Sequence, residues 1–119
     1  PVAPNVHVAR WIPQADILPH ADVLICHGGS GTVTGTLAAG VPAVVVPFIA
    51  DQYHNARRVS QLGAGVMLEA EDIVRLPDAV RSLVADRSYG EAAGRVAAEM
   101  RALPPVDTAT AILRALAIG

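Results

Sequence analysis

The chain reads as an α/β domain, a Rossmann-like parallel sheet with flanking helices. Three observations predict it. Short, almost wholly apolar runs alternate with helical stretches, the pattern of strands covered on both faces. Glycine or proline marks the switches, at Gly40, Pro47 and Gly63. A glycine-rich stretch, His27-Gly28-Gly29-Ser30-Gly31-Thr32, joins one apolar run to the helix after it.

Taken in order, Pro1-Val2-Ala3-Pro4 leads straight into Val6-His7-Val8-Ala9, an expected strand. Gln14 to His20 reads as a short helix with Pro13 near its first turn. Asp22 to Cys26 is an expected strand, and Gly31 to Ala39 a helix that stops at Gly40. Ala43 to Val46 forms a third strand closed by Pro47, and Asp51 begins a helix that runs to about Leu62. Gly65 to Leu68 is a fourth strand. The pattern then turns helical: Pro77 to Ala85, with Val80, Leu83 and Val84 on one face, then Tyr89 to Leu103 and Val106 to Ala117, parted by Pro104-Pro105. Four strands make a small sheet, and the chain opens directly on one of them. Residues 1–119 are therefore expected to form one domain that is incomplete at its N-terminal side. A sheet edge exposed in this way would invite pairing with another chain, a homodimer included.

Composition narrows the chemistry. Hydrophobic residues make up 52% of the chain but aromatics only 3%, so Ala, Val, Leu and Ile must build the core. All nine basic residues are Arg, the formal charge is −2 and no basic run exists, which argues against nucleic acid as a partner. The apolar stretches are too short and too broken by Gly and Pro to span a membrane, and no signal peptide is visible. Cys26 is the single cysteine, so no internal disulfide can form; inside a strand it is expected to be an inert core thiol. The simplest compartment is the cytoplasm. No His pair has zinc-ligand spacing, so neither a protein-held metal nor a cofactor is expected.

The candidate binding residues lie where strands end. Glycines at a strand-to-helix turn let the backbone approach a ligand closely, and the N–H groups of the first helical turn carry partial positive charge. Such a turn suits a phosphate, and Ser30 and Thr32 add hydroxyls. Glycine also favours an ordinary tight turn, so the neighbours must decide. Trp11, the only tryptophan, follows the first expected strand; an indole there packs against the core or stacks on a nucleobase. Asp51-Gln52 follows the third strand with groups suited to sugar hydroxyls. Base platform, phosphate cradle and sugar ligands in successive loops outline a nucleotide-sugar.

This order resembles the donor-binding motif of family-one glycosyltransferases with the two-Rossmann GT-B fold. The matching residues are Trp11-Ile12-Pro13-Gln14, His20, His27-Gly28-Gly29-Ser30-Gly31-Thr32, Gly40-Val41-Pro42, Pro47 and Asp51-Gln52, with Asn55-Ala56-Arg57-Arg58-Val59 and Gly63-Ala64-Gly65 continuing the likeness. The His-Gly-Gly-x-Gly-Thr version is most similar to bacterial enzymes that glycosylate macrolides, enediynes and other secondary metabolites. The resemblance implies that Trp11 stacks on the pyrimidine, the Ile12 backbone reads its edge and Gln14 sits near the ribose. It implies that His27, Gly29, Ser30, Gly31 and Thr32 hold the diphosphate and that Asp51 and Gln52 hold the sugar hydroxyls. His20 is expected to make a structural hydrogen bond, and His7 and His54 to pack or lie on the surface. Arg57 and Arg58 are read as solvated helix charges.

The implied reaction is inverting transfer from a nucleoside diphosphate sugar, a substrate rather than a cofactor, to a small-molecule acceptor. Its general base and acceptor pocket would lie in a missing N-terminal domain, so no catalytic residue is assigned to this chain and the chain alone is expected to be inactive. One departure stands out. Many relatives carry a glutamate that holds the ribose hydroxyls where this chain has Gly35, which points to a thymidine diphosphate donor, with Thr34 or a water as the other source of that contact.

The same residues set four alternatives beside this reading. A dinucleotide-binding oxidoreductase domain would need the third glycine of its fingerprint one place earlier and an acid at the strand end, and would leave Trp11 without a role. A serine-hydrolase elbow fails because Thr32 replaces its final glycine, and a Walker loop needs a lysine. A free-standing donor-binding subunit of a two-chain N-acetylglucosamine transferase shares the motif and differs only in its docking partner.

Overall fold

In the computed structural model, which describes residues 2–119, the sheet is parallel and has three strands. β1 (Leu24–Cys26), β2 (Ala43–Val45) and β3 (Gly65–Met67) lie in sequence order, with Leu24 opposite Ala43 and Ala43 opposite Gly65. Backbone bonds run past the strand ends, from Val46 N–H to the Cys26 carbonyl and from Leu68 N–H to the Val45 carbonyl, both 2.9 Å.

The helices are α1 (Gln14–Ile17), α2 (Ser30–Ala38), α3 (Gln52–Gln61), α4 (Leu76–Ala85), α5 (Arg87–Arg101) and α6 (Val106–Ile118). A 3₁₀ turn over Leu18–His20 continues α1 around Pro19, and another over Ala70–Arg75 leads into α4. α5 starts where Asp86 accepts a bond from Ser88 N–H at 3.0 Å.

β2 explains why the strands are apolar without alternation. Side chains of successive strand residues point to opposite faces. Ala43 and Val45 face a cluster with Val33 and Leu37 of α2, Ala56 and Val59 of α3, and Ala92 and Ala93 of α5. Val44 and Val46 face the other side, against Leu68 and Leu83, with Val80 and Tyr89 at its margin. Both faces are dry, so every residue of β2 is buried.

Val6 to Ala9 differs from the sequence expectation: it is not a strand. Val6 is 52% and Val8 73% exposed, and no neighbouring strand offers hydrogen bonds to this arm. β propensity describes fit to a sheet surface and does not hold a strand that has no partner. Ile25 of β1 is likewise half exposed, because β1 is an edge. α6 has no buried residue, and Ile112, Leu113 and Leu116 face outward. The arm and α6 raise the radius of gyration to 16.8 Å, against about 13.5 Å for a compact chain of this length. No helix among the described residues is long and apolar enough to cross a membrane.

The turn between β1 and α2 is closely constrained. Gly28 has φ +97°, and a Cβ there would stand 2.9 Å from Val45 Cγ1 and 3.0 Å from the Gln52 carbonyl oxygen. Gly28→Ala is therefore expected to lower the unfolding free energy by about 2–4 kcal/mol, from backbone strain and overpacking combined. Denaturant unfolding of the intact protein checks this; a loss under about 1 kcal/mol would contradict the stated constraint.

Candidate functional site

Two loops at the carboxyl ends of β1 and β2 build the site, the place where open parallel sheets bind ligands. In the first, the chain leaves β1 at Cys26, turns at Gly28 and enters α2 at Ser30. Gly29 caps the helix without a side chain, and the first intrahelical bond is Val33 N–H to the Gly29 carbonyl at 2.9 Å. The N–H groups of Ser30, Gly31 and Thr32 therefore precede the helix's own bonding and point out of its positive end. Gly31 is exposed, and a Cβ on it would meet open space. His27 is exposed, with its ring over Gly29, whose Cβ would lie 3.1 Å from Nε2.

The second loop carries Pro47 to Asp51. Ala50 has φ 55°, a left-handed conformation costing about 1–2 kcal/mol in a non-glycine residue. It delivers Asp51 to the first loop, where Ser30 Oγ donates to Asp51 Oδ2 at 2.9 Å. Gln52 folds back on its own loop: its Oε1 accepts from Phe48 N–H at 2.9 Å and Ile49 N–H at 3.1 Å. Its amide NH2 remains available.

Asn55 joins the two loops, and sequence reasoning gave it no role. Its Nδ2 donates to the Gly28 carbonyl at 2.8 Å and lies 3.2 Å from Ser30 Oγ and 3.5 Å from Asp51 Oδ2. The signal was present as the Asp51-to-Asn55 spacing, which places both on one face of α3.

Gln14 reaches the same opening from α1. Its Nε2 donates to the Thr32 carbonyl at 3.5 Å, a carbonyl that also accepts from Thr36 Oγ1 at 2.6 Å. Ile12 and Gln14 line a 170 Å³ apolar notch with Ile17, Leu18 and Leu24. Trp11 stands off on the arm, 78% exposed, and because residues 6–9 form no strand it does not sit at a strand end. The structure thus brings together Gln14, Gly29, Ser30, Gly31, Thr32, Asp51 and Gln52, with His27 at the rim, and leaves Trp11 as an open indole face. His20 is exposed, and among the described residues its ring makes no hydrogen bond, so the structural bond expected of it is not found. Cys26 is half-buried; burial raises its thiol pKa above the usual value, outweighing a lowering contact with the Gly28 backbone, as suits an inert thiol.

Known proteins resemble this chain in sequence and fold. The model of the erythromycin biosynthesis protein CIII-like C-terminal domain matches residues 1–116. The elloramycin glycosyltransferase ElmGT of Streptomyces olivaceus is 42% identical over 107 residues, which cover 89% of this chain and 27% of that protein. The crystal structure of the glycosyltransferase SnogD from Streptomyces nogalater is similar with a TM-score of 0.80 at 38% identity, covering 98% of this chain and 31% of that one. The glycosyltransferase VinC, solved in complex with DTDP, gives a TM-score of 0.91 at 32% identity, covering 100% of this chain and 31% of that one. The chain thus spans less than a third of the length of these relatives. It belongs to the EryCIII-like family of family-one glycosyltransferases, as a C-terminal domain with the fold of that half of the GT-B architecture.

Proposed function

We propose that these residues hold the donor of an inverting glycosyltransferase that moves a deoxysugar from thymidine diphosphate to a hydroxyl of a natural-product acceptor. One observation carries the reading: the free N–H groups of Ser30, Gly31 and Thr32 open onto the same space as His27 and the Asp51-Gln52 loop. Those N–H groups and the His27 ring face the diphosphate, which Gly29 and Gly31 admit closely. Ser30 contributes its backbone, since its hydroxyl hydrogen is committed to Asp51. Asp51 and the free amide of Gln52 take sugar hydroxyls, Gln14 lies by the ribose, the Ile12 backbone reads the base edge and Trp11 supplies the stacking face. Acceptor and general base belong to the rest of the enzyme. The lone thiol, with no disulfide partner in the chain, suits a cytoplasmic setting.

Charge grows on the leaving diphosphate as the glycosidic bond breaks. Fixed N–H dipoles at a helix start stabilise that charge more in the transition state than in the ground state. ElmGT, named for elloramycin, supports a natural-product acceptor, and the DTDP bound to VinC supports the thymidine nucleotide. Gly35 adds to this, because a glycine offers no acceptor whose loss would penalise a missing 2′-hydroxyl.

His27→Ala in the intact enzyme is expected to lower turnover by about 10²-fold, the usual loss on removing one preorganised donor. A change confined to the donor KM would count against that role. In competition for the site, read by Trp11 fluorescence, thymidine diphosphate is expected to bind as tightly as uridine diphosphate or more so. A clear preference for the uridine nucleotide would reject the thymidine assignment.

A further inference from the structure

We propose that Gly35 is a positioning residue for donor binding, whose missing side chain seats the Gln14 carboxamide against the Thr32 carbonyl. The proposal rests on the donor reading above. Gly35 lies in α2, one turn beyond Thr32, the last of the three residues whose N–H groups open the helix. A Cβ at Gly35 would overlap Gln14 Nε2 and come 3.6 Å from Gln14 Cδ; the next nearest atom is Leu18 Cδ1 at 3.9 Å.

The obstructing group is therefore the tip of one flexible side chain and not the backbone. Gly35 is also absent from the positive-φ glycines, so the helix itself does not require it. Glycine inside a helix is otherwise disfavoured relative to alanine. What the glycine provides is room for Gln14. With that room, Nε2 points at the Thr32 carbonyl, which belongs to the residue carrying the last of the free N–H groups. Its oxygen and second amide hydrogen stay available to a nucleotide sugar ring. A methyl group at position 35 would swing the amide aside without touching the backbone.

Four forms of the intact protein test this: wild type, Gly35→Ala, Gln14→Ala and the double variant. Thymidine diphosphate affinity is measured by titration calorimetry, the thermal midpoint by calorimetric unfolding, and the Gln14 side-chain amide by NMR without ligand. Gly35→Ala is expected to unfold at the same or a higher temperature, since alanine is the better helix former. It should nonetheless bind about five- to tenfold more weakly, the effect of one displaced hydrogen-bonding group. Gln14→Ala should show a similar loss, and the double variant should be no weaker than either single one. The Gln14 amide resonance should move in Gly35→Ala. Unchanged affinity in Gly35→Ala, additive losses in the double variant, or a lowered thermal midpoint would each overturn the proposal. A wild type that binds neither thymidine nor uridine diphosphate would overturn the donor reading and this inference with it, a result distinct from a wild type that binds and a Gly35→Ala that binds equally well.

Discussion

The passage of the β1–α2 turn between Val45 and the Gln52 carbonyl is the contact on which the rest of the structure depends. Gly28 touches a strand side chain on one side and the first residue of α3 on the other, at separations no Cβ could share. That tightness brings the N-termini of α2 and α3 side by side. Asn55 then fixes the turn from below through its 2.8 Å bond to the Gly28 carbonyl. With a looser turn the two loops would stand apart, and Ser30 could not meet Asp51.

Small residues make the same compactness possible on the far side of α2. α5 places Ala92, Ala93 and Ala97 against the core, and a Cβ on Gly40 would lie 3.6 Å from the Gly94 Cα. Side chains of this size let helices approach closely and fill space without aromatic bulk. The chain's one tryptophan and one phenylalanine are accordingly left on the surface, Trp11 at 78% and Phe48 at 60% exposure. Their exposure leaves two large apolar side chains open on the surface.

The polar groups of the site satisfy one another across the two loops. Ser30, Asp51 and Asn55 form a closed set, and the Gln52 side-chain Oε1 secures its own loop. No buried side-chain nitrogen or oxygen among the described residues lacks a partner. The Asp51 carboxylate thus takes up the hydroxyl of the first residue of α2. That bond to Ser30 fixes the direction of the carboxylate. The strain at Ala50 belongs to the same design, since a left-handed residue turns the chain so that Asp51 meets Ser30.

The sequence by itself determined the layered α/β class, the three strands of the sheet and the helices that follow them, because unbroken apolar runs and glycine or proline stops are local signals. It also determined the glycine-rich turn and the Asp51-Gln52 pair as candidates, since their chemistry is carried by residue type and order. Tertiary structure alone decided that Val6 to Ala9 is an unpaired arm: strand formation requires a neighbour, and no local pattern reports one. It decided that the Ser30 hydroxyl serves Asp51, that Asn55 bridges both loops and that Gln14 occupies the space above Gly35. Each of these is a contact between residues 18 to 27 positions apart, or depends on such a contact, and only the packing of α1, α2 and α3 around one strand end fixes their distances.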